Sequence, residues 1–274
     1  MFPRLFTIPA FDFLGRHIGP LSLHTYGVLL ALAFVAGLWV ASRQARRAGM
    51  DPSVVTDMAV YVLIAGLIGA KLALLFIEWS YYTENPREIL SILQSGGVFY
   101  GGLLGAIPVA WWYTRRHDLD PWATADVLAP GVILGQAVGR LGCFAAGCCY
   151  GRPTSVPWAI TFRNPLAARI VGTPLDVPLH PTQLYEAAAT LLIFFVLLWL
   201  SRHQRFRGQI VLTYVLLYSI ARFVIEFYRG DAARGSVFGG MMSTSQLIAA
   251  ILVVVILLYT PHAMKTRRLA PAAS

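Results

Sequence analysis

The residues able to do chemistry gather in one short stretch, Gly139-Arg140-Leu141-Gly142-Cys143-Phe144-Ala145-Ala146-Gly147-Cys148-Cys149-Tyr150-Gly151-Arg152. It holds all three cysteines of the chain, four glycines and two arginines. It follows an apolar run, and its repeated glycines predict that the preceding helix does not continue through it. An arginine where an apolar helix gives way to a Gly-rich turn is a place to bind an anion. The guanidinium offers a planar fork of donors, and turn amides add to it.

Other ionisable groups fall inside apolar runs: Lys71, Asp126, Glu186, Arg222 and Glu226. Charge in a membrane span is costly, so such groups face a partner or a cavity. Arg222 and Glu226 are four apart, on one helical face, and can pair; Arg229 continues close to that face. The plainer alternative is a structural ion pair locking helices together. Isolated pairs of that kind stabilise weakly, which favours a site role. Lys71 and Asp126 lie in no motif and read as helix-locking groups. Glu186 closes the run His180-Pro181-Thr182-Gln183-Leu184-Tyr185. Pro181 near a helix start, with Thr182 as a cap, puts His180 at the outer membrane surface.

The thiols leave several roles open. Cys148 and Cys149 are adjacent, unlike the usual Cys-x-x-Cys of metal sites, so no metal is assigned. Cys143 can pair with Cys148 or Cys149 if the stretch faces an oxidising compartment. They can equally be small packing residues beside glycine, or hold a nucleophile favoured by Arg140.

The elements that must position these groups are membrane helices. Of 274 residues, 57% are hydrophobic and only 13% charged, and the mean hydropathy is +0.63. Soluble domains carry about 25% charge. The apolar runs are long and continuous, which excludes a β-barrel. The net charge of +9 sits mostly at the ends of apolar runs, a pattern of membrane orientation and not of nucleic-acid binding. No cleavable signal peptide is expected.

Seven spans are expected, near 21–41, 54–79, 97–117, 124–139, 183–200, 209–227 and 243–259. The fold class is therefore an all-α polytopic membrane protein with seven transmembrane helices. Residues 1–18 read as an interfacial segment, 19–262 as the transmembrane domain, 152–180 as a small extracytoplasmic cap within it, and 263–274 as a basic cytoplasmic tail. Basic clusters follow spans one, three, five and seven: Arg43, Arg46, Arg47; Arg115, Arg116; Arg202, Arg205, Arg207; Lys265, Arg267, Arg268. That side is the cytoplasm by the positive-inside rule, with the N-terminus outside and the C-terminus inside. The other basic residues, Arg140, Arg152, Arg222 and Arg229 among them, need a reason other than topology. An anionic ligand on the outer side supplies one.

Several motifs in order resemble bacterial prolipoprotein diacylglyceryl transferase. They are Gly19-Pro20-Leu21-Ser22-Leu23-His24-Thr25-Tyr26-Gly27, Gly101-Gly102-Leu103-Leu104-Gly105, and the central Gly139-Arg140-Leu141-Gly142 with Phe144, Gly147, Gly151 and Arg152. His180 to Glu186, Arg222 to Arg229, and Met242-Ser243 with Gln246 complete the set. The resemblance implies a seven-span enzyme of the bacterial inner membrane. Such an enzyme moves the diacylglyceryl group of phosphatidylglycerol to the lipobox cysteine thiol of a preprolipoprotein, leaving a thioether and glycerol phosphate. It implies no cofactor. Its partners would be phosphatidylglycerol, lipobox signal peptides and the membrane, with no nucleic acid.

By position, the resemblance gives Arg140 and Arg222 the lipid phosphate, Glu226 the orientation of Arg222, Tyr26 the site wall and Gly151 the loop conformation. Tyr100 is the other catalytic candidate. His24, Gly102, Cys143, His180, Gln183, Tyr185, Glu186 and Arg229 are candidates for substrate binding. Tyr100, His24 or His180 can accept the thiol proton. Cys143, Ala146 and Cys148 stand where the family usually has Asn, Asn and Glu, and Tyr100 where it has His. The alternatives are a related lipid transferase with another substrate, and a non-catalytic lipid-binding membrane protein. A transporter is disfavoured by the lack of a second broken region in register.

Overall fold

A computed structural model describes residues 3–9, 11–13, 16–18, 21–93, 97–230, 235–237 and 240–269. Gly19 and Pro20 of the first motif, Asp231 and Arg234 of the loop after span six, and tail residues 270–274 lie outside them.

Among the described residues six helices are long and apolar enough to cross a membrane: α1 (Thr25–Arg47), α2 (Pro52–Ile77), α5 (Pro121–Ala146), α7 (Thr182–Leu200), α8 (Gln209–Glu226) and α9 (Thr244–Thr266). Shorter helices are α3 (Trp79–Glu84) and α6 (Pro165–Val171), with a 3-10 turn at Pro86–Leu93. The expected third span is α4 (Phe99–Arg116), which is not among the six. Its 18 residues include Pro108 and, in the last turn, Arg115 and Arg116, so its apolar length is short.

Several boundaries differ from expectation: α1 runs on to Arg47 and α9 to Thr266. Leu21–His24 is not helical: it is a strand, β4, paired antiparallel with β1 (Arg4–Ile8), and α1 begins only at Thr25. The larger correction concerns α5, which runs through Gly139, Arg140, Gly142 and Cys143 and ends at Ala146. Two glycines amid good helix formers lower helix propensity by only about 1 kcal/mol each, and burial offsets that. The stop is Gly147, whose left-handed φ of 85° lets its N–H bond back to the Cys143 carbonyl at 2.9 Å.

The chain divides into two compact units. In the second, residues 41–127, α2 and α4 lie backbone against backbone. A Cβ on Gly101 would come 2.2 Å from Ala73 Cβ and 2.6 Å from the Gly69 carbonyl oxygen, and one on Gly105 2.3 Å from Ala65 O. Nothing larger than hydrogen fits, as small-residue packing in lipid requires. α2 starts on a capped turn: Asp51 accepts from Ser53 N at 2.8 Å, with Pro52 as first residue. Those bonds hold the Asp51 carboxyl below its ordinary range. Lys71 donates to the Ile92 carbonyl at 2.7 Å, the locking role expected of it.

The first unit, residues 1–40 and 128–274, packs α1, α5, α7 and α8 around Val40, Ala129, Ile133, Ile193, Phe194, Leu197 and Ile210. α9 opens on a capping box, Ser243 Oγ accepting from Gln246 N while Gln246 Oε1 accepts from Ser243 N. Its far end joins the loop after α7: Arg207 N bonds Arg267 O, and Leu269 N bonds Arg205 O. Two basic clusters expected on one side therefore do share an end of this unit.

Candidate active site

Glu186 is the hub. It sits one turn into α7, with its side chain 2% exposed. Its Oε1 accepts Arg140 Nη2 from α5 at 2.8 Å and the Tyr218 hydroxyl from α8 at 3.0 Å; Arg229 Nη1 lies 3.8 Å from its Oε2. A carboxylate is tolerated this deep only with charged and hydrogen-bonded partners of this kind. Next to it on α8, Arg222 Nη2 meets Glu226 Oε2 at 2.6 Å, one turn apart, and reaches Ser245 Oγ on α9 at 3.4 Å. Among the described residues the centre thus sets three guanidiniums against two carboxylates.

The loops around this centre are stitched by backbone. Gly151 N bonds His180 O, His180 N bonds Arg152 O, and Arg152 N bonds Tyr228 O. Arg152 Nε donates to Arg229 O at 3.0 Å. Gly151 must be glycine: a Cβ would stand 2.5 Å from both Cβ and O of His180. Above the stitch, Tyr185 Oη is shared by His180 Nδ1 at 3.1 Å and Trp158 Nε1 at 2.7 Å, and the Tyr228 ring meets His180 edge-on.

Gln183 is 1% exposed and donates to Cys148 O at 2.8 Å, and Thr182 Oγ1 donates to Cys149 O at 2.8 Å. Both therefore hold the cysteine loop, whose three Sγ atoms all lie within 4.8 Å of one another. Hydrogen bonds with Cys143 and Cys148 push the Cys149 thiol down, and the Arg229 guanidinium beside it adds to the effect. Tyr26 packs on Gly142, where a Cβ would come 3.2 Å from its ring, and so lies beside the stretch that carries Arg140 and Cys143.

The structure thus gathers Arg140, Glu186, Arg222, Glu226, Arg229, Gly151, His180, Gln183, Tyr185, Cys143 and Tyr26 within the first unit. His24 is exposed on β4, paired in register with Arg4. Tyr100 and Gly102 belong to the second unit: Tyr100 is exposed in the first turn of α4, and Gly102 faces Gly66 of α2. Tyr218 and Ser245 escaped the sequence reasoning. For Tyr218 a signal existed, because 218, 222 and 226 step by four along one helix face.

Fold and centre define a multi-pass helical membrane protein with a guanidinium–carboxylate cluster among its helices. A family model described as prolipoprotein diacylglyceryl transferase matches residues 15–260. The chain belongs to that family. It is 35% identical over 235 residues to a phosphatidylglycerol–prolipoprotein diacylglyceryl transferase of Clostridium tetani, covering 86% of this chain and 91% of the relative. A protein of the same name from Geobacillus kaustophilus is 34% identical over 249 residues, with coverage of 90% and 91%. One from Synechococcus elongatus is 35% identical over 240 residues, with coverage of 85% and 81%.

Proposed function

We propose that this chain is a phosphatidylglycerol–prolipoprotein diacylglyceryl transferase, which moves the diacylglyceryl group of phosphatidylglycerol to the lipobox cysteine of a preprolipoprotein. Family membership supports the reaction, and the observation that carries the site is the three-to-two charge balance around Glu186. The lipid phosphodiester enters as a monoanion and fills that balance. The peptide thiolate attacks the glyceryl carbon, a carbon–sulfur bond forms, and the carbon–oxygen bond to phosphate breaks. Glycerol phosphate leaves with one more negative charge than the phosphodiester carried. Arg140, Arg222 and Arg229 stabilise that added charge, and guanidinium forks suit it better than point charges. Glu226 aims Arg222; Glu186 and Tyr218 aim Arg140.

His180 is the proton acceptor in this reading. Its support is the contact of Nδ1 with the Tyr185 hydroxyl: with Nδ1–H donating to Tyr185 Oη, the ring is fixed and Nε2 is the acceptor. Tyr26 lines the approach beside Gly142. Exposed His24 serves substrate binding in the same proposal. α4 acts as the seventh span, with the N-terminus and the 152–180 cap outside the bacterial inner membrane and the 263–274 tail in the cytoplasm. Residues 1–18 lie at the interface.

The test is incubation of purified protein with phosphatidylglycerol vesicles and a lipobox peptide. The expected result is a peptide mass gain of one diacylglyceryl group, lost in Arg222→Ala. Phosphatidylglycerol binding without any mass gain would overturn the transferase reading in favour of a lipid-binding protein. A gain from another lipid only would reassign the donor.

A further inference from the structure

The loop after α5 carries a feature that diacylglyceryl transfer does not use. Adjacent Cys148 and Cys149 depart from the usual Cys-x-x-Cys spacing of metal sites. The structure removes that objection. Cys149 adopts a left-handed backbone with φ of 62°, one of three non-glycine residues to do so among the described residues. A residue held in that region stores strain that the surroundings must impose. The result is that the side chains of two consecutive cysteines turn to one side and meet Cys143 from the last turn of α5. All three Sγ atoms lie within 4.8 Å of one another, and none is in a disulfide.

We propose that Cys143, Cys148 and Cys149 form a binding site for one soft d10 metal ion, Zn2+ or Cu(I). Three thiolates at about 2.3 Å from one ion stand roughly 3.8 Å apart, so closing the site needs shifts of about 1 Å or less. Thiolate is the ligand such ions prefer. The loop is held ready for it: Gln183 clamps the Cys148 carbonyl, Thr182 that of Cys149 and Thr173 that of Gly147 at 2.9 Å. These bonds hold the loop by its carbonyls, and the one weak bond a sulfur makes to backbone, Cys148 Sγ to the Cys143 carbonyl at 3.7 Å, is given up on binding. The thiols give up their protons on binding, and three thiolates on Zn2+ carry a net charge of −1. The neighbouring Arg229 and Arg140 guanidiniums compensate it. Zn2+ keeps a fourth position for water, and Cu(I) is satisfied by three sulfurs. The site shares Arg140 and Arg229 with the proposed transfer centre, and its occupancy is read without any step of that reaction.

The chain has no other cysteine, so a metal–thiolate signal can come only from these three. Purified full-length protein, reduced and desalted, is titrated with Cd2+ while the ultraviolet cadmium–thiolate absorption is followed. The expected result is saturation at one ion per chain, displacement by Zn2+ and by Cu(I), and affinity weakened about 100-fold or more in Cys143→Ser, Cys148→Ser and Cys149→Ser. Absence of a saturable signal in reduced protein, or a signal that survives replacement of all three thiols, overturns the proposal. Should the variants fail to fold, wild-type protein is alkylated with and without Zn2+ and weighed intact. Full modification without the ion and protection with it supports the site; equal modification in both overturns it.

Discussion

Arg140 Nη2 on α5 and Glu186 Oε1 on α7 meet at 2.8 Å, joining two sequence motifs that nothing in their spacing connects. The same oxygen accepts the Tyr218 hydroxyl, so three helices converge on one carboxylate. Such a carboxylate sets the position of the guanidinium that a phosphate would meet.

Glu186→Gln removes this charge at nearly constant volume and leaves buried Arg229 and half-buried Arg140 without their carboxylate. Breaking a buried pair of this kind costs about 3–5 kcal/mol. The variant should melt well below wild type in detergent and lose transfer activity. An unchanged melting temperature would contradict the hub role. Tyr218→Phe takes away one hydrogen bond to the same charge and should cost about 1.5–3 kcal/mol. Combined with Glu186→Gln it should add little further, because both act on one network.

In the proposed reaction Arg222 grips the phosphate through a planar fork, which Glu226 Oε2 meets at 2.6 Å. Arg222→Lys keeps the charge and loses the fork, so turnover on a lipobox peptide should fall about 100- to 1000-fold, the scale of one preorganised donor. Glu226→Gln should fall less, since it only aims the fork. Lysine restoring wild-type turnover would count against bidentate contact.

Gly151 and Gly230 approach back to back, a Cβ on Gly230 standing 2.4 Å from Gly151 O. The atoms in the way are backbone and cannot swing aside. Gly151→Ala should cost about 1–3 kcal/mol and displace His180 and Arg152 together. Thermal melting and the activity of the same preparation check this. A variant as stable and active as wild type would show that the loops can part without cost.

In the second unit, Gly101→Val should separate α4 from α2, because even a Cβ would lie 2.2 Å from Ala73 Cβ. Limited proteolysis of the 78–98 connection reads the result, with faster cleavage expected. Cleavage at the wild-type rate would mean the helices do not depend on that contact.

Helix existence was legible in sequence because long apolar runs bounded by arginines have few other solutions. The Arg222–Glu226 pair was legible because it is local, within one turn of helix. The extension of α5 through Gly139 and Gly142 was not. Glycine there reads as a break, while Gly142 serves close packing against Tyr26 and Gly139 stands in open space within the helix. Likewise Glu186 looked like one motif residue among several. Its partners come from α5, α8 and the loop after α8, and pairing across that sequence separation leaves no periodic trace. The cysteine spacing misled for a related reason: the left-handed turn at Cys149 cannot be read from residue types that ordinarily avoid it.

The central claim is that guanidiniums from α5 and α8 hold a phospholipid phosphate. Its most direct test is retention of phosphatidylglycerol, against uncharged diacylglycerol, by purified wild-type protein and by the Arg140→Ala, Arg222→Ala double variant, measured by native mass spectrometry. Wild type should retain phosphatidylglycerol selectively, and the double variant should retain the two lipids alike. Undiminished selectivity in the double variant would contradict the account.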